Sequence, residues 1–499
     1  MDNSIAWGAF GLYLLVTTGL AVRGMMKTTS GSIESFALGN RDMGPLLVGV
    51  TLAAAIASTA TFVINPGFVW KDGLSSLLHF GVAGTLGVVV GLVLLSRGFR
   101  RLGEKHRALT LPHWVGARFG SRAMRTYFAG LNLVLAIAFV VLIVKGSALV
   151  MSSTLGLSYA TSVFVVIGFV FSYILLGGTY AHAYTNALQG SIMLVVALAL
   201  IGSGVHLFAD GGVSGFFAAL EAQDPALVAM TNPNSPVAGS FFEVFVCGFV
   251  VSFGLVCQPH ILMKSLYLRS EKDLNRYLVV AALVGVGFAL VLLVGLFARV
   301  AYPELAVGPD AISQDAVVPS YIQHAFGGTA AALISVALLA AGMSTMDGVL
   351  VSASTIAGND LVLGLVGNRV AEDKRPALAL RASRVLLVLM GVVSLVIALD
   401  PPAGVGLFAF AGIYGLVAAS VAPVVFGIFV DRTPPRWAFA ASIAGPAVHF
   451  VLYLGVGVTN PAVTGTFGVA AGCAVLGLGV LLQPHTADAA EHPTAAKSA

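Results

Sequence analysis

Charge is what this 499-residue chain lacks most: Asp, Glu, Lys and Arg make up 10% of it, 58% is hydrophobic, and the mean hydropathy is +0.95. Soluble domains carry about 25% charged residues. So few charges cannot cover a water-facing surface, which excludes a cytosolic enzyme, a secreted scaffold and a nucleic-acid binder. Most side chains must face lipid or one another. Cysteine is scarce too. Cys247, Cys257 and Cys473 each sit within an apolar run, so they read as small buried hydrophobes rather than as a disulfide framework or metal site. There is no CxxC, no HExxH and no nucleophile–base set, so the chain does not read as an enzyme. The first apolar run, Ile5 to Val22, follows Asp2 rather than a basic stretch and has no clear cleavage site. It reads as an uncleaved first span.

What the chain has in abundance is apolar runs of about 20 residues, the length that crosses a bilayer. Thirteen are expected: 5–24, 46–70, 75–96, 127–151, 158–177, 185–208, 240–258, 276–302, 328–358, 381–399, 405–430, 436–455 and 463–482. The runs are continuous rather than alternating, which excludes a membrane barrel. If the N-terminus is outside, the inner loops and tail hold 23 of the 26 basic residues, Lys264 among them; only Lys71, Lys145 and Arg299 fall elsewhere. The outer loops near 209–239 and 303–327 hold Asp210, Glu221, Asp224, Glu304, Asp310 and Asp315 and no Lys or Arg. Positive charge kept on the cytoplasmic side predicts this asymmetry. The basic residues are therefore topological, and the expected location is the cytoplasmic (inner) membrane, with the C-terminus inside. Trp7, Trp70, Trp114 and Trp437 fall near span ends, where indole settles at the interface. Residues 98–125 are expected to lie along the inner membrane surface. The tail 484–499 is expected to be disordered.

Function shows where an apolar span is violated. The second run is rich in small residues from Ala53 to Thr61 and then carries Asn65-Pro66-Gly67; the seventh holds Ser252, Gly254 and Gln258-Pro259-His260. They are five spans apart, as a five-plus-five inverted repeat requires, and breaks at matched positions free carbonyls for a cation. Proline kinks tolerated for packing are the bland alternative. In the ninth run, Ser344 and Thr345 are adjacent hydroxyls sharing a helical face with Ala341. Two hydroxyls with freed carbonyls suit Na+, although each can instead satisfy its own helix.

These features resemble the sodium:solute symporter family. The resemblance runs over about 35–430, through FALGNRDMGPLLVG, NPGFVWKDGL, ILLGGTYAHAYTNALQG, CQPHILMKSLYL, AAGMSTMDGVLVSASTIAGNDL and GLVAASVAPVVFGIF. It implies an all-α polytopic membrane protein with an inverted-repeat (LeuT-like) symporter core. One helix and inner loop (1–45) precede the two repeats (46–208 and 209–430), and two helices (431–483) follow. It implies Na+ as coupling ion, held by the carbonyls of Ala54, Ala57 and Ala341 and the hydroxyls of Ser344 and Thr345. Some members hold a second Na+ on an Asp near the start of span six; Asn186 stands there in this chain, which favours one Na+, with Asp347 as a substitute charge.

Solute contacts are expected from Ser58 and Thr61, which share a face of the second run, and from His79, Phe253 and Gln258. Lys145, inside the fourth run, either meets an anionic solute, pairs with an acid or snorkels. Glu243 lies near the outer end of its span. Proline is disfavoured as solute, because Ala60, Val251 and Leu255 stand where the proline carriers of the family place rings. A small carboxylate, monocarboxylate or pantothenate-like, is the leading expectation, with the bilayer as surroundings and no obligate protein partner. The alternatives are a proton-coupled carrier using Asp347 or His182, and a transporter-like solute sensor.

Overall fold

A computed structural model describes residues 3–29, 32–306, 312–401 and 405–483. Asp2, Asp310, Lys497 and the tail 484–499 lie outside the described residues, which are helical throughout. Their sole β-type pairing is a parallel bridge between Met43 and Leu268. Helix is what a lipid-embedded backbone must adopt to satisfy its own N–H and C=O groups.

Ten helices are long and apolar enough to span a membrane, and two bent pairs raise the number to twelve, against the thirteen expected. The difference lies in the fifth run. It forms the 17-residue helix Tyr159–Leu175, which is continuous with the next span through Gly178 at φ +55° rather than separated by a loop. A Cβ at Gly178 would also lie 2.8 Å from the Phe36 carbonyl oxygen, so only glycine fits this joint.

The bent pairs are Pro45–Ile56 with Ala60–Asp72 (54°) and Phe242–Leu255 with Pro259–Tyr267 (63°), the second and seventh runs. The first break falls at 57–59, before the Asn-Pro-Gly; Pro66 instead sits in the first turn of the segment Asn65–Asp72. The second falls where expected, with Gln258 extended (ψ 141°) just before Pro259. The helix Gly328–Ile356 is buried along most of its length and packs on Pro45–Ile56, Arg122–Leu155 and Tyr159–Ser203. By contrast, Arg375–Leu399 turns many apolar side chains outward, as a lipid-facing helix does.

The stretch 98–125 departs from expectation. The span Leu74–Lys105 runs on through most of its first part, and the short helix Leu111–Arg118 tucks into the protein. Trp114 has no exposed surface, stacks on Phe99 (5.0 Å between rings) and donates Nε1–H to the Phe99 carbonyl at 3.1 Å. It is a core residue, not an interfacial anchor. The reason is local: Leu111, Trp114 and Val115 form one apolar stripe with protein on that side.

Candidate functional site

The first break exposes backbone oxygen. Ala57 N–H still closes the helix on the Ala53 carbonyl (2.9 Å), but Ser58 N–H turns to Ile56 (3.1 Å). The Ala54 carbonyl thereby loses the donor a continued helix would give it. Ser58 Oγ then accepts from Ala60 N–H at 3.0 Å and starts the second half.

The freed carbonyls meet the hydroxyl pair. Ser344 Oγ lies 2.9 Å from both the Ala54 and Ala341 carbonyl oxygens. Thr345 Oγ1 donates to Ala55 at 3.1 Å and lies 3.5 Å from the Ala54 oxygen. Ala54, Ala341, Ser344 and Thr345 are fully buried. Four of the five expected ion ligands thus converge. Ala57 accepts no bond from either hydroxyl, and the Ala55 carbonyl, which sequence did not single out, is engaged instead. Gly342 permits this approach: a Cβ there would lie 2.0 Å from Ser147 Oγ and 2.8 Å from Thr59 Oγ1.

Below this cluster lies a second polar layer. Asp347 accepts from the hydroxyls of Tyr173 and Thr185, the latter at 2.9 Å. Asn186 donates Nδ2–H to the Ser344 carbonyl (2.5 Å) and lies 3.4 Å from His182. His182 Nε2 meets the ammonium of Lys264 at 2.7 Å. Sequence reading put Lys264 among the basic residues of the inner loops, yet it has no exposed surface. Its only sequence signal is position, five residues past the Pro259 break and on the same short segment.

Beside the first break is a cavity of about 160 Å³. Ala53, Ala57, Ser58, Ala60, Thr61 and Asn65 line it from the first broken span, and Val251, Ser252 and Leu255 from the second. Ser58 and Thr61 therefore both line it, and Ala60, Val251 and Leu255 form its wall. Rings reach it from elsewhere: Phe80, Phe139, Phe288, Phe410 and Tyr414. Thr85 adds a hydroxyl, and the lining contains no Asp, Glu, Lys, Arg or His. The lining runs from Phe80 and Leu292, nearer the acidic loops, to Leu92 and Ala281, nearer the basic ones. None of it comes from the acidic loops.

The other expected solute residues lie outside this cavity. His79 Nδ1 bonds the Glu243 carbonyl at 2.8 Å, a backbone role. Phe253 stacks on Phe249 at 6.3 Å between rings. Gln258 lines a separate small pocket with His260 and Asn132, and its buried Nε2 has no partner. Lys145 pairs with Asp315 (3.3 Å) of an acidic loop, the acid-paired alternative for this residue. Next to that pair, Gln314 packs so closely that a Cβ at Gly67 would lie 2.2 Å from its carbonyl oxygen. Glu243 accepts from Asn460 (3.0 Å).

Two interrupted spans, the first with its loosened backbone against a buried hydroxyl pair and both lining one cavity, define a secondary transporter. The comparisons agree and go further. The model of the sodium:solute symporter family matches residues 36–445, and the chain belongs to that family. The sodium/pantothenate symporter of Escherichia coli is 28% identical over 446 residues, 88% of this chain and 89% of that one. A high-affinity proline transporter of Bacillus subtilis is 26% identical, covering 87% and 89%. Among solved structures, a Na+-coupled sialic acid symporter superposes with a TM-score of 0.77 at 18% identity, over 97% of this chain and 98% of that one. The protein is a multi-pass membrane transporter of small organic solutes with Na+ as its coupling ion.

Proposed function

We propose that this carrier imports a small organic carboxylate with Na+ by alternating access. The observation that carries the reading is the meeting of Ser344 and Thr345 with the carbonyls released at the first break, whose neighbours Ala53, Ala57 and Ser58 line the cavity. Na+ binds among these oxygens and ties the first broken span to the helix Gly328–Ile356. The solute's apolar body packs on the rings and small residues of the cavity, and Ser58, Thr61, Thr85 and Asn65 meet its polar groups. With no cationic side chain in the lining, the carboxylate charge is offset by Na+ itself and by the amide end of the half-helix that starts at Ala60. A relative that carries pantothenate and a monocarboxylic acid transporter of Corynebacterium glutamicum (21% identical) favour this solute class. The basic face is cytoplasmic and the N-terminus outside. One Na+ with one monovalent anion is electroneutral and escapes the bias of about 2.3 kcal/mol per charge per 100 mV.

The test is thermal unfolding of the purified protein with pantothenate, lactate, pyruvate and proline, each with and without Na+. A carboxylate should raise the midpoint in Na+ alone, and Ser344→Ala with Thr345→Ala should abolish that shift and Na+-stimulated uptake. Stabilisation by proline and by no carboxylate would overturn the solute class. Uptake that follows a pH gradient and ignores Na+ would instead mark the proton-coupled carrier using Asp347 or His182.

A further inference from the structure

Lys264 follows the break of the second broken span and is the one fully buried lysine among the described residues. Its ammonium meets His182 Nε2 at 2.7 Å. No carboxylate comes within ion-pair distance of it among the described residues. Three residues beyond His182 on the same helix, Thr185 donates to Asp347, which has no exposed surface and likewise no basic partner. A buried amine and a buried carboxyl group therefore share one layer, bridged by the His182–Thr185 turn. Each is costly alone; together they leave the layer electrically balanced. This layer abuts the ion cluster. Asp347 is two residues past Thr345, and Asn186 turns an N–H to the Ser344 carbonyl, so that oxygen is already engaged by a donor.

We propose that Lys264 is a tethered cation: its ammonium supplies, from within the chain, the positive charge that a second Na+ would bring to Asp347, and so fixes coupling at one Na+ per cycle. The inference rests on the Na+ reading above. A second Na+ entering this layer would meet the ammonium in a low-dielectric site. Like charges about 6 Å apart at an effective dielectric near 20 weaken binding on the order of a hundredfold. Without the ammonium, the carboxylate of Asp347 and the hydroxyls of Tyr173 and Thr185 offer hard oxygen donors to a small monovalent cation.

Equilibrium binding of radiolabelled Na+ to the purified full-length protein tests it. The unmodified protein should saturate at one Na+ per chain with a Hill coefficient near 1. Lys264→Met should saturate at two, and Lys264→Arg should remain at one. Adding Asp347→Asn to Lys264→Met should return the count to one. Two Na+ per unmodified chain overturns the inference, whether or not any variant folds; so does a Lys264→Met protein that binds one Na+ with unchanged affinity. An unmodified protein that binds no Na+ overturns the underlying ion-site reading instead, so the two failures are told apart.

Discussion

His113 shows how much one side chain can report. It sits on the short helix Leu111–Arg118, outside the spans, where Leu109 N–H donates to its Nδ1 at 3.4 Å. Burial first, then the positive charges of Arg125 and His106, push its imidazole down to about 4 from the usual 6.5. Arg125 is held there by a 2.6 Å ion pair with Asp360, itself bonded by Thr110 Oγ1 at 2.5 Å. Between pH about 4 and 6.5 the unfolded chain binds the proton and the folded one resists it. Stability is therefore full above 6.5 and falls as pH drops through that window. The unfolding midpoint of the unmodified protein should decline across it, and His113→Gln should flatten the decline. Two profiles of equal slope would show that His113 does not govern it. Sequence reading could not find this group, because its shift comes from burial of a stretch assigned to the membrane surface.

At the scale of elements, helix seams decide whether the ion cluster can form. The helix Gly328–Ile356 approaches the first break and the helix Arg122–Leu155 through Gly342. Gly342→Ala should cost about 1–3 kcal/mol, the usual cost of overpacking, and weaken Na+ binding by displacing Ala341 and Ser344. Calorimetry and Na+ titration would read both effects, and Ser147→Gly in the same chain should restore them in part, since Thr59 Oγ1 still lies 2.8 Å from the added methyl. Most of this level was legible in the sequence. Both breaks, their spacing and the hydroxyl pair follow from small residues, Pro259 and the Ser344-Thr345 dipeptide. The exact bend of the first span was not, because Asn65-Pro66-Gly67 is the louder signal while the chain turns at Ala57–Thr59. Nor were the cavity's rings, since Phe80, Phe139, Phe288 and the pair Phe410 and Tyr414 come from four separate stretches that only packing unites. Lys145 and Lys264 could not be separated by type. The one inside an apolar run is partly exposed and paired, and the one expected in an inner loop is sealed inside.

For the whole molecule, the side of the acidic loops is closed where the segment at Gln314 and Asp315 packs on the first broken span and on Lys145. Lys145 and Asp315 latch that side, at about 18% and 30% side-chain exposure. An ion pair this exposed is worth about 1 kcal/mol at most, which shifts a two-state population on the order of fivefold. Lys145→Met should therefore speed labelling of a cysteine placed at Thr61 by an impermeant maleimide added on the side of the acidic loops by that factor. Lys145→Asp combined with Asp315→Lys should bring it back. Unchanged labelling in Lys145→Met would show that the pair does not hold the closed side.

The small parallel bridge bears on how such a molecule moves. Met43 N–H bonds the Tyr267 carbonyl at 3.0 Å, and Arg269 N–H bonds that of Met43 at 3.3 Å. The beginning of one interrupted span is thereby stitched to the finish of the other. Neither can swing without dragging its counterpart, so the two behave as a yoked lever, and whatever tips one arm is felt at once in the other.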